Sequence, residues 1–200
     1  MTEDDVEVIA HKTLFQGFFR LEGFTLRHRL HAGGWSGTIE RELFVRGPVA
    51  GVLLYDPKLD AVVLIEQFRM GAFGAGCRPW LVEIVAGIVD PGETAEETVR
   101  REAVEEAGVA ISDLVPITTY LTSPGACSEI AHLFCGRVDA SHAGGIHGIG
   151  AEQEDIRVVV LPAAEAFAQR RKNDEIRDSI TINALLWLEL ERQALRRRWR

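Results

Sequence analysis

Three glutamates, Glu102, Glu105 and Glu106, stand at positions i, i+3 and i+4. On a helix that spacing puts all three carboxylates on one face. Carboxylates so placed repel one another, and the ordinary reading is a solvated acidic face. Two features argue against it here. The glutamates fall in the last turns of the expected helix, where the backbone dipole disfavours negative charge. The adjacent cation, Arg101, cannot neutralise three carboxylates alone. A hard divalent cation with oxygen ligands would, and Mg2+ typically takes one or two carboxylates together with substrate phosphates. Residue types and spacing therefore point to metal-assisted chemistry at a phosphate.

The elements that must position these groups are legible nearby. Thr94 is a good N-cap and Glu97 follows three residues later, so a capping box opens a helix over 94–107. Gly108 supplies its C-cap. Upstream, Val49–Tyr55 and Ala61–Ile65 flank the turn Asp56-Pro57-Lys58-Leu59-Asp60, which predicts a β-hairpin buried on both faces. Residues 157–161 read as a strand, and Pro162 suits the first turn of a helix running to about Arg171. A long helix is expected from about Ser179, with Ala184, Trp187, Leu188 and Leu195 on one face. Leu185, Leu186 and Leu190 widen that face enough for two neighbours, and the arginines of its tail complement the helix dipole. Residues 1–47 alternate apolar and polar side chains, as in Phe18 to Leu26, and read as strands with turns broken at Gly33-Gly34. Interleaved strands and helices predict an α/β or α+β class with a mixed sheet.

Composition narrows the partners. Two hundred residues make one domain, or one domain with an N-terminal extension. Lys and Arg number 22 against 30 Asp and Glu, a net charge of −8, which argues against coating nucleic acid. No apolar stretch approaches a membrane span, and the acidic start resembles neither a secretory signal nor a transit peptide. Cys77, Cys127 and Cys135 form no C-x-x-C pair, so neither a disulfide framework nor a thiolate zinc site is expected. His11, His28, His31, His132, His142 and His147 show no metal-ligand spacing. The expectation is a cytoplasmic protein without nucleic-acid or membrane partners. Residues 1–47 are too short to bury a core of their own and the last helix has surplus apolar surface, which favours a homodimer.

The stretch from Gly87 to Val109 resembles the Nudix box. Gly87, Glu93, Arg101, Glu102, Glu105, Glu106, Gly108 and Val109 occupy its fixed positions, with Ala103 at a packing position that usually holds a larger aliphatic. The resemblance implies a Nudix fold: an α/β/α sandwich with a mixed β-sheet. It implies hydrolysis of a diphosphate linked to another moiety, with Mg2+ or Mn2+ neutralising phosphate charge and activating water. In the family the equivalents of Glu102 and Glu106, with the carbonyl of Ala86, ligate metal, and Glu105 lies near the cluster. The equivalents of Glu93 and Arg101 pair to fix the helix against its loop.

Residues outside the box resemble the bacterial ADP-ribose pyrophosphatase branch over nearly the whole chain. They include Arg41 to Gly47, Glu66 to Arg69, Pro79 to Gly87, Ser123-Pro124-Gly125, Ser128-Glu129 and Glu152 to Val158. That resemblance implies Mg2+-dependent cleavage of ADP-ribose to AMP and ribose 5-phosphate. Arg41, Arg46 and Arg69 would hold phosphate or ribose oxygens, as arginine forks do. Phe18 and Phe19 would flank the adenine, Phe18 reaching across from the other subunit; by composition alone both read as core residues. Ser123, Pro124, Gly125 and Glu129 would line the ribose end, with Glu42 and Ile88 among the substrate contacts. Glu152 would be the general base on a mobile loop and Glu154 a further metal ligand, although their roles could be exchanged. The Gly-rich segment Ala143 to Gly150 before them fits a loop that closes on substrate. The resemblance also implies a homodimer that exchanges an N-terminal β-rich region, residues 1–47, ahead of a hydrolase domain over 48–200. Another nucleotide-sugar diphosphate, such as a GDP-hexose, or NADH is the alternative substrate, and a non-catalytic nucleotide-binding module the alternative class.

Overall fold

A computed structural model describes residues 2–150, 153–172 and 174–199. They form two compact units, Met1–Gly47 with Leu121–Ile130, and Pro48–Tyr120 with Ala131–Arg200. The segment Leu121–Ile130, expected within the hydrolase domain, thus groups with the N-terminal region.

The first unit is a three-stranded antiparallel sheet of β1 (Val6–Gln16), β2 (Arg20–His28) and β3 (Ile39–Val45). Irregular register at Val8/Ala10 and Thr13/Phe15 bends β1 along β2. Every residue of β1 is exposed. Phe18 and Phe19 lie in the β1–β2 turn rather than in the strand, and Phe18 is 88% exposed, which sets aside the core reading for it. The segment 121–130 is stitched to β3 through backbone groups. Phe44 N–H donates to Ala126 O at 2.8 Å, and Arg46 N–H donates to Ser128 Oγ at 2.9 Å.

The second unit centres on an eight-stranded mixed sheet. Its strands are β4 (Val49–Asp56), β5 (Ala61–Phe68), β6 (Trp80–Glu83), β7 (Val85–Ile88), β8 (Asp113–Leu121), β9 (Ile130–Arg137), β10 (Ile146–His147) and β11 (Ile156–Pro162). The main order is β10-β11-β5-β4-β9-β8, with β6 paired to β5 and β7 to β4. β4 and β9 run parallel, whereas the other assigned pairings of β4 and β5 are antiparallel. The β4–β5 hairpin is buried on both faces because successive side chains serve two cores. Leu53, Tyr55, Val62 and Leu64 pack with α3 (Ala163–Lys172) and α4 (Ser179–Arg198). Val52, Leu54, Val63 and Ile65 pack with Val99, Ala103 and Ala107 of α2 (Ala95–Ala107), the short α1 (Met70–Gly74) lying between β5 and β6 in the chain. The unit is therefore an α/β/α sandwich.

Two expectations about elements need correction. Pro162 closes β11 opposite Ala61, and α3 opens one residue later. The strand continues through Pro162 because the next ladder bond is made by Ala163 N–H to Asp60 O, at 2.9 Å. In α4 the buried side chains include Ala184, Leu185, Leu188 and Leu195, whereas Leu190 is 82% exposed. Its far end is fastened by Trp199, buried, whose Nε1 donates to Asp113 Oδ2 at 2.7 Å. Among the described residues no helix is long and apolar enough to cross a membrane.

Candidate active site

The glutamate helix α2 starts as its caps dictate. Thr94 Oγ1 accepts the Glu97 N–H at 3.2 Å and Glu97 Oε2 accepts the Thr94 N–H at 2.8 Å. Gly108 ends the helix in the left-handed region at φ 65°, a conformation that favours glycine. The short strand β7, paired to β4, lies beside the helix. Gly87 on that strand permits a close approach: a Cβ there would stand 1.9 Å from Glu102 Oε1. The absent side chain is what lets the carboxylate rest against the strand.

Arg101 is the hub of the half-exposed part of the cluster. Its Nε and Nη2 donate to Glu93 at 3.0 and 3.1 Å, and its Nη1 donates to Glu102 at 2.8 Å and Glu105 at 2.9 Å. These bonds, foremost, hold the Glu93 carboxyl down to about 2. Bonds to the acids outweigh burial and raise Arg101 further above its ordinary value. Glu106 is not among its partners. That carboxylate is only 5% exposed, and its Oε2 accepts the Ala86 N–H at 3.2 Å. Burial, then the charge of Glu102, pushes its pKa up to about 8, against the opposing pull of Ala86 and Arg69. Burial likewise raises Glu102, although Arg101 opposes it. The charge of Glu154 acts on both.

Glu154 itself is tethered to its loop, its Oε2 accepting the Ile149 N–H at 3.1 Å. His147, on β10, seats that loop against the helix end. A Cβ at Gly108 would be 2.6 Å from its ring. Among the described residues no three His, Cys, Asp or Glu side chains form a ready-made metal cage. Each acid is bonded to a protein donor: Glu102 to Arg101, Glu106 to the Ala86 N–H, and Glu154 to the Ile149 N–H. Glu152 lies outside the described residues. Ile88 is half-exposed at the end of β7.

Arg69 follows β5 and meets Glu83, its Nε donating to Oε2 at 2.7 Å. Glu83 is buried, and burial pushes its pKa up to about 7 even though Arg69 pulls it down. Burial disfavours the Arg69 charge, yet Glu83 more than offsets this and its pKa is raised. Sequence reasoning missed Glu83 as a partner. Its one signal was a carboxylate interrupting the apolar run Leu81 to Val85.

The other expected contacts lie in the first unit. Arg46 Nε donates to Glu129 at 2.9 Å, and its guanidinium stands 5.2 Å over the Phe19 ring. Phe19 also meets Phe18 and Phe44 edge-on. Phe19, Arg46 and Glu129 therefore come together. Arg41 instead donates to the Glu40 carbonyl at 2.8 Å, and Glu42 is exposed beside it on β3. The Ser123 carbonyl accepts the Ala126 and Cys127 N–H groups, at 3.1 and 2.9 Å, which makes a turn of exposed Pro124 and Gly125.

The arrangement can hold a hard cation. All its candidate donors are oxygens, Glu106 is buried among like charges, and Gly87 leaves room for Glu102. Comparison with known proteins agrees with the geometry. The chain is 45% identical over 197 residues to an ADP-ribose pyrophosphatase of Escherichia coli (strain K12), covering 98% of this chain and 94% of the relative. It is 36% identical to a GDP-mannose pyrophosphatase of Cronobacter sakazakii, covering 93% and 96%. A crystal structure described as an ADP compounds hydrolase shares the fold at a TM-score of 0.73 and 18% identity, covering 96% of this chain and 97% of that one. The model of the NUDIX domain family matches residues 45–183, spanning the whole glutamate helix and the β7 strand beside it, and the chain belongs to that family.

Proposed function

We propose that this chain hydrolyses the diphosphate of ADP-ribose to AMP and ribose 5-phosphate, using Mg2+, or Mn2+ in its place. The observation that carries the reading is the buried Glu106, held against the Ala86 N–H with Glu102 beside it and, among the described residues, no arginine bonded to it. A carboxylate buried this far costs stability, a cost that a bound cation would offset. Glu102, Glu106, Glu154 and the Ala86 carbonyl would hold that cation. It would neutralise charge on the diphosphate and activate the attacking water. Arg101 fixes the orientation of Glu102 and Glu105, while Glu93 anchors Arg101 in turn. Arg69 takes a diphosphate oxygen. The general-base role of Glu152 rests on family resemblance alone.

Substrate recognition draws on Phe18, Phe19, Arg41, Glu42, Arg46, Ile88, Ser123, Pro124, Gly125 and Glu129. Arg46, held by Glu129 and lying over Phe19, favours an aromatic base or a ribose among these contacts. A cytoplasmic homodimer completes the reading. The exposed apolar side chains of β1, Val6, Val8, Ile9 and Phe15, support it by leaving an apolar strand uncovered in a single copy. Hydrolysis of GDP-mannose is the second reading, favoured by the relative of that name.

The test is an assay of the purified protein with ADP-ribose, GDP-mannose and NADH, with and without Mg2+, products being separated by chromatography. Mg2+-dependent release of AMP and ribose 5-phosphate, lost by about 10³-fold or more in Glu106→Gln, is the expected result. Turnover of GDP-mannose in preference to ADP-ribose would move the reading to the second substrate.

A further inference from the structure

Arg69 lies between acids of two kinds. One is Glu106 of the glutamate helix, whose charge acts on the guanidinium. The others are Glu83 and Asp178, which lie outside that helix. Glu83 closes β6 and takes the inner nitrogen, Nε, at 2.7 Å. Among the described residues this is the sole side-chain bond of Arg69, so Nη1 and Nη2 remain available.

Asp178 is the N-cap of α4, and its Oδ1 accepts the Thr181 N–H at 2.8 Å. Its Oδ2 is buried without a hydrogen-bond partner among the described residues. Its charge acts on both Arg69 and Glu83. A helix cap uses one oxygen, and Asn or Ser serves nearly as well as Asp. The second, buried oxygen adds a desolvation cost with no return to the helix. After the bonds of Thr181, the charge of Arg69 is what favours its ionised form. The same helix start is pinned to the strand, because Thr181 Oγ1 accepts the N–H of Ile84, next to Glu83, at 2.9 Å. The cap, the strand and the arginine are therefore one connected assembly.

We propose that Glu83 and Asp178 are positioning residues for Arg69: Glu83 holds the guanidinium by the inner nitrogen, the buried carboxylate of Asp178 steadies its charge, and the two outer nitrogens are left as a fork for a diphosphate oxygen. This rests on the reading of Arg69 as a diphosphate contact. A free arginine surrenders rotamer freedom when it binds a phosphate, whereas one bonded at Nε has already surrendered most of it. Glu83 and Asp178 touch no substrate themselves and act through the geometry of Arg69.

The experiment uses the full chain and two readouts. One is the Kd of ADP-ribose with a chelator present, measured by calorimetry, and the other is kcat and KM with Mg2+. The variants are Glu83→Gln, Asp178→Asn, Arg69→Ala and the double variant of Glu83→Gln with Arg69→Ala. Asn keeps the cap, so Asp178→Asn removes charge while sparing α4. Glu83→Gln and Asp178→Asn should each raise Kd and KM by about tenfold, the worth of one charge-assisted bond, with kcat changed far less. In the Arg69→Ala background Glu83→Gln should add nothing. Unchanged or tighter binding in both single variants overturns the proposal. So does a loss of kcat and Tm at constant KM and Kd, or an equal loss in the Arg69→Ala background. If Arg69→Ala binds like the wild type, the reading of Arg69 fails and the proposal with it. If the wild type turns over no ADP-ribose, the substrate reading fails instead.

Discussion

Gly87→Ala separates the cost of a misplaced carboxylate from the cost of a damaged fold. The added Cβ would lie 1.9 Å from Glu102 Oε1, 2.4 Å from Cδ and 2.7 Å from Cγ. The first of these falls 1.5 Å short of ordinary contact, which begins at 3.4 Å. The backbone does not forbid the substitution, since Gly87 is not among the glycines at positive φ. Nor does the core, because the obstruction is the far end of a flexible side chain. Glu102 therefore yields, and the strand stays. Its bond to Arg101, 2.8 Å long, breaks or drags Arg101 along, and the carboxylate leaves the position it shares with Glu106.

The stability cost of that retreat is small, about 1 kcal/mol or less, which for a chain of this size lowers Tm by about 2–4 °C. The functional cost is larger. A displacement of about 1 Å in a reacting group costs on the order of 10²-fold in rate, or about 2.7 kcal/mol. The assay pairs kcat/KM for ADP-ribose, titrated with Mg2+, with a thermal melt. Gly71→Ala serves as control, because its Cβ would meet nothing within 4 Å. Gly87→Ala should lose about 10²-fold in kcat/KM and need more metal for half-maximal rate, while Gly71→Ala matches the wild type. Wild-type activity in Gly87→Ala would refute the account of Glu102. Loss of activity only in step with loss of folded protein would refute it equally.

Other outcomes follow from the buried acids and the helix end. Glu106→Gln should abolish turnover yet raise the Tm of the metal-free protein above pH 7, because it removes a carboxylate that burial makes costly to ionise; a lowered Tm would contradict that. Glu83, raised from 4.5 to about 7, binds its proton more tightly folded than unfolded. Its contribution to stability is therefore full below about pH 4.5 and is lost as pH rises toward 7. Denaturant unfolding at pH 5 and pH 8 should show a fall in stability that is smaller in Glu83→Gln, by up to about 3 kcal/mol. An equal fall in both proteins would rule this out. Gly108→Ala meets both a positive φ and the His147 ring at 2.6 Å, and should cost more than about 1 kcal/mol by the same measurement. Adding His147→Ala should recover only the steric part; full recovery would show that the backbone conformation carries no cost.

The residues that were legible in sequence are those whose signals are local. The capping box of Thr94 and Glu97 and the C-cap Gly108 bound α2 within one residue, because each acts on backbone groups three or four positions away. The β4–β5 hairpin was legible for a similar reason, its two apolar runs being separated by one turn. Long-range pairing was not legible. The segment Leu121–Ile130 joins the N-terminal unit through bonds between Phe44 and Ala126, and between Arg46 and Ser128, residues about 80 positions apart. Nothing in the local pattern of either stretch marks its partner. Glu83 and Asp178 were hidden in the same way. One reads as an odd charge in a strand and the other as an ordinary helix cap, until the fold places both beside Arg69.

The two arginines of the site show why that distinction matters for chemistry. Arg101 is bonded to Glu93, Glu102 and Glu105, so four of its five N–H donors are taken by the acids it orders. It cannot also serve as a substrate fork without releasing one of them. Among the described residues Arg69 is bonded at Nε alone, and its outer nitrogens have no partner there. The charge of Arg69 opposes the raised pKa of Glu106. Under the proposed function, scaffold and ligand contact are thus divided between two residues of the same type. Spacing within the box identifies the first, because its partners lie at one, four and eight positions along the chain. The second needs the sheet, because β5 and β6 must pair before Arg69 and Glu83 can meet.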